Sequence, residues 1–179
     1  MNRKLSMLEL NRLTPAAYKA QEKTPIILVL DNIRSALNVG SAFRTADSFA
    51  LQGIYLCGIT ATPPHREILK TAIGATASVD WHYFDTTQAA VEQLKSDGFK
   101  VFAVEQVTEK TWLQDVKTST DEKYALIFGN EVKGVSSSIL PLVDGCIEIP
   151  QFGTKHSLNI SVSVGIVIWE FFRQLREKS

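Results

Sequence analysis

The sequence contains little that could staple a fold covalently. Its two cysteines, Cys57 and Cys146, lie far apart without a Cys-x-x-Cys spacing, which excludes a disulfide framework and a zinc knuckle and reads both as small buried apolar residues. It also lacks an excess of charge, with Lys+Arg and Asp+Glu at 19 each. No basic coat covers the molecule, although a local basic patch stays compatible with that balance. The most apolar stretch, 160–172, is too short to span a bilayer and is interrupted by Ser161, Ser163, Gly165 and Glu170. The opening MNRKLSMLELNRLTPAAYKA lacks the apolar core of a signal peptide, so a cytoplasmic protein with no membrane association is expected. There is no glycine-lysine-serine P-loop ending and no GxGxxG, and no metal-ligating cluster of His, Cys and Asp is visible. The expectation for metal is none.

What is present is ordinary globular material, 45% hydrophobic and 21% charged over 179 residues. A chain of this size buries about 70% of its unfolded surface without staples. Its length suggests one domain, 25–179, preceded by a helical N-terminal extension, 1–24. In the extension, Leu5, Leu8, Leu10 and Leu13 have helical spacing up to Pro15, where Thr14 can cap a second short helix over AAYKAQEK. After Pro25 the texture changes, and IILVL at 26–30 has the continuous apolar character of a strand buried on both faces.

From there strand-like and helix-like runs alternate. Strands are expected near Ile26–Leu30, Ile54–Cys57, Ser78–Phe84, Lys100–Val104, Tyr124–Phe128 and Cys146–Ile149. Helices are expected near Val39–Phe49, Arg66–Ile73, Thr87–Ser96, Val135–Leu140 and Ser157–Arg176. That alternation predicts an α/β fold on a mostly parallel sheet with helices on both faces. The last helix is apolar around nearly its whole circumference, from Leu158 to Phe172. Such a helix must be covered on all sides. A second copy of the chain in a symmetric contact is the expected cover; enclosure by its own sheet and leader is the alternative.

Open α/β sheets bind ligands in the loops beyond the carboxyl ends of their strands. Three loops here carry the polar and glycine content: DNIRSALNVGSAFRT after Leu30, FGNEVKGVS after Phe128 and IPQFGTKHSLN after Ile149. Singly, each has a plain structural explanation. Asn38 could cap a helix starting at Val39, Gly129 and Gly134 could supply turn conformations, and Ser157 could cap the last helix.

Together they are far more specific. Asn38-Val-Gly40-Ser-Ala-Phe-Arg44, then Gly129-Asn130-Glu131-Val-Lys-Gly134, then Ile149-Pro150-Gln-Phe-Gly153-Thr-Lys-His-Ser157-Leu158-Asn159 follow, in order, the patterns N-x-G-x-x-x-R, G-N-E-x-x-G and I-P-x-x-G-x-x-x-S-L-N. Over residues 25–179 the chain thereby resembles the SpoU/TrmH branch of the SPOUT RNA methyltransferases, with no departure at the defining positions.

That resemblance implies a homodimer with a deep C-terminal trefoil knot, lying here around 129–161, and S-adenosylmethionine as methyl donor to a ribose 2′-hydroxyl in RNA. It implies catalytic roles for Arg44, Asn38, Glu131, Ser157 and Asn159, with Arg44 contacting RNA phosphate. Cofactor contacts fall on Gly129, Ile149, Leu158, Val104 and Asn159. Arg34, Arg44 and Lys155 are the expected RNA contacts, within a wider basic set of Arg66, Lys70, Lys133 and His156 in loops and first helical turns. The family's large-subunit rRNA enzymes often carry an added N-terminal RNA-binding domain, and the short leader here tilts the expectation toward tRNA over rRNA. Two other readings compete: a non-catalytic RNA-binding dimer of the same fold, and a doubly wound small-ligand domain centred on Asp31 and Lys133. The latter leaves Glu131, Ser157 and Asn159 unexplained.

Overall fold

The computed structural model describes residues 2–6, 9–10, 12–155 and 157–177, the side chain of Glu177 excepted. Its elements in chain order are α1 (Pro15–Ala20), β1 (Thr24–Asp31), α2 (Ala36–Ser48), β2 (Leu51–Cys57), α3 (Arg66–Ala72), β3 (Trp81–Phe84), α4 (Thr87–Ser96), β4 (Phe99–Val104), β5 (Thr111–Trp112), β6 (Lys123–Phe128), β7 (Gly145–Glu148) and α5 (Ile160–Glu177). The strands form one seven-stranded sheet in the order β3-β2-β1-β6-β4-β7-β5, with every pair parallel.

Alternation along β1 shows why the sheet is covered on both sides. Ile26, Leu28 and Leu30 point into a cluster with α1, α2, α3 and α5, where Tyr18, Phe43, Ile68 and Phe171 are buried. Ile27 and Val29 point the other way, against Ala90, Val91 and Leu94 of α4 and against Val135 and Ile139. The period-2 geometry of a strand makes an uninterrupted apolar run the only sequence that satisfies both faces. Cys57 is fully buried in the second cluster, and that burial pushes its thiol up to about 12; Cys146 is only partly buried.

Several sequence expectations shift. Thr14 does cap α1, its side chain accepting from the Ala17 N–H at 3.2 Å. The helical spacing of Leu5 to Leu13 produces no helix among the described residues, and Leu8 lies outside them. The strand expected from Ser78 starts at Trp81, because Ala75–Ala77 forms a 3-10 turn after Ile73 and Gly74, both in the left-handed region. Val135–Leu140 is not a helix. The Ser136 N–H is taken by the Asp31 carboxylate at 2.8 Å, and Pro141 withholds a donor from the turn at Leu140–Leu142. β5, two residues long, has no counterpart among the expected strands, since so short a strand leaves no periodicity in the sequence.

α5 is also half of what its composition implied. Val164, Val167, Ile168, Phe171 and Leu175 are buried, each worth about 1.5–3 kcal/mol if fully removed from water. Among the described residues the opposite face is left largely open, with Trp169 53% and Val162 48% exposed.

Candidate active site

Strands β1, β6 and β7 end on the same side of the parallel sheet, so the loops after them meet. The first runs directly into α2. Its cap is Ser35, whose hydroxyl accepts from the Asn38 N–H at 3.3 Å. Asn38 therefore lies inside the first turn and does not cap the helix, which leaves its carboxamide available for contacts outside α2.

Glu131 in the second loop uses that freedom. Its carboxylate accepts from the backbone N–H groups of Arg34 at 3.0 Å and Ser35 at 3.1 Å, and from Asn38 Nδ2 at 3.2 Å. An anion at the orphan donors of a helix start is favoured by the partial positive charge there. Burial alone would raise the Glu131 carboxyl, but these donors outweigh it and hold the group below the ordinary carboxylate range.

Asn38 Oδ1 in turn accepts from Asn159 Nδ2 at 3.5 Å. Asn159, and not Ser157, caps α5: its Oδ1 accepts from the Ser161 N–H at 2.8 Å, and its carbonyl accepts from the Val162 and Ser163 N–H groups at 3.0 Å each. One chain of side chains, Glu131 to Asn38 to Asn159, thus joins the three loops.

Within this junction lies a cavity of about 520 Å³. Val104, Gly129, Ile149, Leu158 and Asn159, the expected cofactor contacts, all line it, as do Glu131 and Ser157. Gly129 is required there by close approach: a Cβ would lie 2.0 Å from the Val135 N and 2.1 Å from the Gly134 carbonyl carbon as the loop folds back over it. Two carboxylates outside the expected catalytic and cofactor residues support the same loop, one of them the Asp31 on which the small-ligand reading centres. Glu105, lining the cavity at the end of β4, accepts from the Val135 N–H at 2.7 Å. Asp31, fully buried at the end of β1, accepts from Ser136 N–H, Thr87 Oγ1 and Asn32 Nδ2 at 2.6–2.8 Å. The available signal was an acidic residue closing an apolar strand of a parallel sheet.

Arg44 is not brought into this cavity. It sits on α2 beside a separate cavity of about 600 Å³ that Lys70 of α3 and Ser161 and Gly165 of α5 also line. Arg34 borders a third cavity, Lys155 and Arg66 are exposed, and His156 lies outside the described residues. Phe152, in the loop that carries Lys155, is 99% exposed.

Comparison with known proteins agrees with the three motifs. The SpoU rRNA Methylase family matches residues 25–169. A tRNA (guanosine(18)-2′-O)-methyltransferase of Aquifex aeolicus is 31% identical over 94% of this chain and 78% of its own length. The AdoMet-bound rRNA methyltransferase of Sinorhizobium meliloti superposes with a TM-score of 0.79 at 25% identity, over 86% of this chain and 58% of that one. A structure described as giving insight into 2-OH methylation of C/U34 on tRNA has a TM-score of 0.76 at 26% identity, over 86% of this chain and 99% of that one. With the family match spanning the whole sheet and all three motif loops, the chain belongs to the SpoU rRNA methylase family.

Proposed function

We propose that the protein is an S-adenosylmethionine-dependent RNA ribose 2′-O-methyltransferase acting on tRNA. The observation that carries this is the cavity in which the second and third motif loops meet, tied through Asn38 to the first. Its size falls within the roughly 300–1,000 Å³ of small-ligand sites. Phe128, Ile147, Ile149 and Leu158 offer apolar surface to an adenine, while Glu105, Glu131, Ser157 and Asn159 offer acceptors at the polar end. The carboxylates suit a cationic ligand. When bound, S-adenosylmethionine supplies the methyl group from its sulfonium. The knot implied by the sequence resemblance would run through 129–161, the stretch that holds both lining loops.

The chain's own contribution to such a displacement is position and charge. Glu131 fixes the start of α2, and Asn38 relays that constraint to Asn159, so the loops are held before substrate arrives. Arg44 clamps a backbone phosphate and stabilises developing alkoxide charge; a guanidinium stays protonated, so a role as general base is disfavoured. The exposed face of α5 takes a second copy of the chain. Ser161 and Gly165 of α5 border the cavity that holds Arg44, so the partner would lie beside the arginine. Phe152 and Lys155 add an aromatic platform and a cation, the pairing that grips unstacked RNA.

The Aquifex aeolicus relative and the C/U34 structure favour tRNA; the Sinorhizobium meliloti likeness favours rRNA as the second reading. The deciding experiment is tritiated methyl transfer from S-adenosylmethionine into bulk tRNA and rRNA from cells lacking the enzyme. Label in tRNA at one ribose resistant to alkaline cleavage is the expected result. Label in rRNA alone would overturn the substrate class, and label in neither, without S-adenosylmethionine binding, would overturn the enzyme.

A further inference from the structure

The loop 130–134 walls two cavities. Asn130, Val132, Lys133 and Gly134 line the cofactor cavity and also a second cavity of about 770 Å³, whose remaining walls come from the loop after β1, from Ile59 after β2 and from residues 135–138. The wall is rigid for its length. Asn130 and Gly134 exchange two backbone hydrogen bonds at 2.8–2.9 Å, and Asn130 Oδ1 accepts from the Val132 and Lys133 N–H groups.

The opposite wall is tied to it. Asn130 Nδ2 donates to the Asn32 carbonyl at 2.7 Å. Asn32 sits at φ 56, a conformation open to asparagine at modest cost, and its side chain donates to Asp31 and accepts from the Ile59 N–H. Behind both, the buried Asp31 holds the Ser136 N–H. This second cavity is a preformed site built on a fully satisfied buried carboxylate.

Its free chemistry is specific. Neither the Arg34 guanidinium nor the Lys133 ammonium forms an ion pair among the described residues. Ser137 and Ser138 present exposed hydroxyls. Ile59 and Val132 face solvent at 66% and 75% exposure. Cations suit a phosphate, hydroxyls suit a base edge or a 2′-hydroxyl, and aliphatic surface suits the face of a base. A bare anion would leave the aliphatic groups without a role.

We propose that this cavity binds a nucleotide of the RNA substrate adjacent to the one being methylated. The proposal rests on the RNA methyltransferase reading. One loop thickness separates the two cavities, so a splayed strand whose target ribose reaches the cofactor cavity can cross residues 130–134 and set the next nucleotide in the second cavity. The subsite selects for an unpaired neighbour at the target position, because a stacked base in a duplex cannot enter.

Two substitutions test it. Ser137→Trp fills the cavity from an exposed position, and Arg34→Ala removes the guanidinium while keeping the backbone N–H that Glu131 uses. Filter binding and methylation of unmodified bulk tRNA, and of rRNA in parallel, are measured together with S-adenosylmethionine affinity and thermal midpoint. Each variant is expected to weaken RNA affinity and raise the KM for RNA by about tenfold, the scale of one lost base contact. S-adenosylmethionine affinity and thermal midpoint should stay at wild-type values. The double variant should lose less than the product of the two, since both act on one nucleotide. Unchanged RNA affinity in Ser137→Trp, with wild-type protein active, would overturn the subsite alone. A full product in the double variant would overturn the single-nucleotide occupant. A wild-type protein that neither binds nor methylates either RNA would overturn the enzymatic reading and this proposal with it.

Discussion

Arg44, on α2, and Glu131, in the second motif loop, belong to the same set of motifs but stand in different surroundings. The Arg44 side chain is exposed and forms no ion pair among the described residues, so its removal breaks no ion pair of the fold. Arg44→Ala is expected to lower single-turnover methyl transfer by at least about a hundredfold, the scale of one positioned transition-state donor. Calorimetric stability and S-adenosylmethionine binding should be preserved, and methylation near the wild-type rate would remove the arginine from the mechanism. Glu131, by contrast, ties loops together. Its folded pKa is depressed below the ordinary 4.5, so the stability it contributes is fully present above that value and is lost as pH falls through the lower folded pKa. Wild type should therefore exceed Glu131→Gln in denaturant midpoint at neutral pH, with the gap closing only below about pH 4.5. A gap that persists unchanged to pH 3 would mean that the carboxylate charge is not what the donors read.

Among the elements, α2 and α3 cross so closely that Gly40 has no room for a side chain. A Cβ there would lie 2.1 Å from Thr71 Oγ1 and 2.3 Å from the Ile68 carbonyl oxygen. Thr71 could rotate away, but a backbone carbonyl cannot. Gly40→Ala should lower the free energy of unfolding by about 1–3 kcal/mol, the range for overpacking, measured by urea titration; no change would mean that the crossing is soft. Gly40 was legible as a motif position, yet its reason is a contact with a helix about 30 residues further on, which no local pattern encodes. The same divide runs through the rest of the chain. Thr87–Ser96 is legible to the residue because its cap, Thr86, immediately precedes it and its apolar face lies within the segment. The helix expected over Val135–Leu140 does not form because Asp31, remote in sequence, claims the Ser136 N–H. The identities of the cavity-lining residues could be read from the motifs. The relay Glu131–Asn38–Asn159 could not, since it needed Ser35 to take the cap and release Asn38.

On the scale of the whole molecule, the exposed face of α5 is the surface on which the proposed dimer rests. Trp169, Val162 and Ile166 are large apolar side chains left in water, and a symmetric contact between two copies removes all of them at once. Sedimentation at micromolar concentration should show a dimer, and Trp169→Asp should shift it to monomer with the fold retained; a wild-type monomer would refute the interface. The strand order has a further consequence, in time. β1 and β6 lie side by side, with Ile26 opposite Tyr124, so partners at the centre of the sheet are synthesised about a hundred positions apart. At roughly 5–20 residues per second of translation, the apolar edge of β1 waits on the order of 5–20 seconds for its neighbour. Non-local parallel pairing is slow to form and leaves sticky edges open meanwhile. A ribosome stalled before residue 123 would carry a nascent chain unable to close its sheet, and such truncated chains should be held by chaperones while the full-length protein is released.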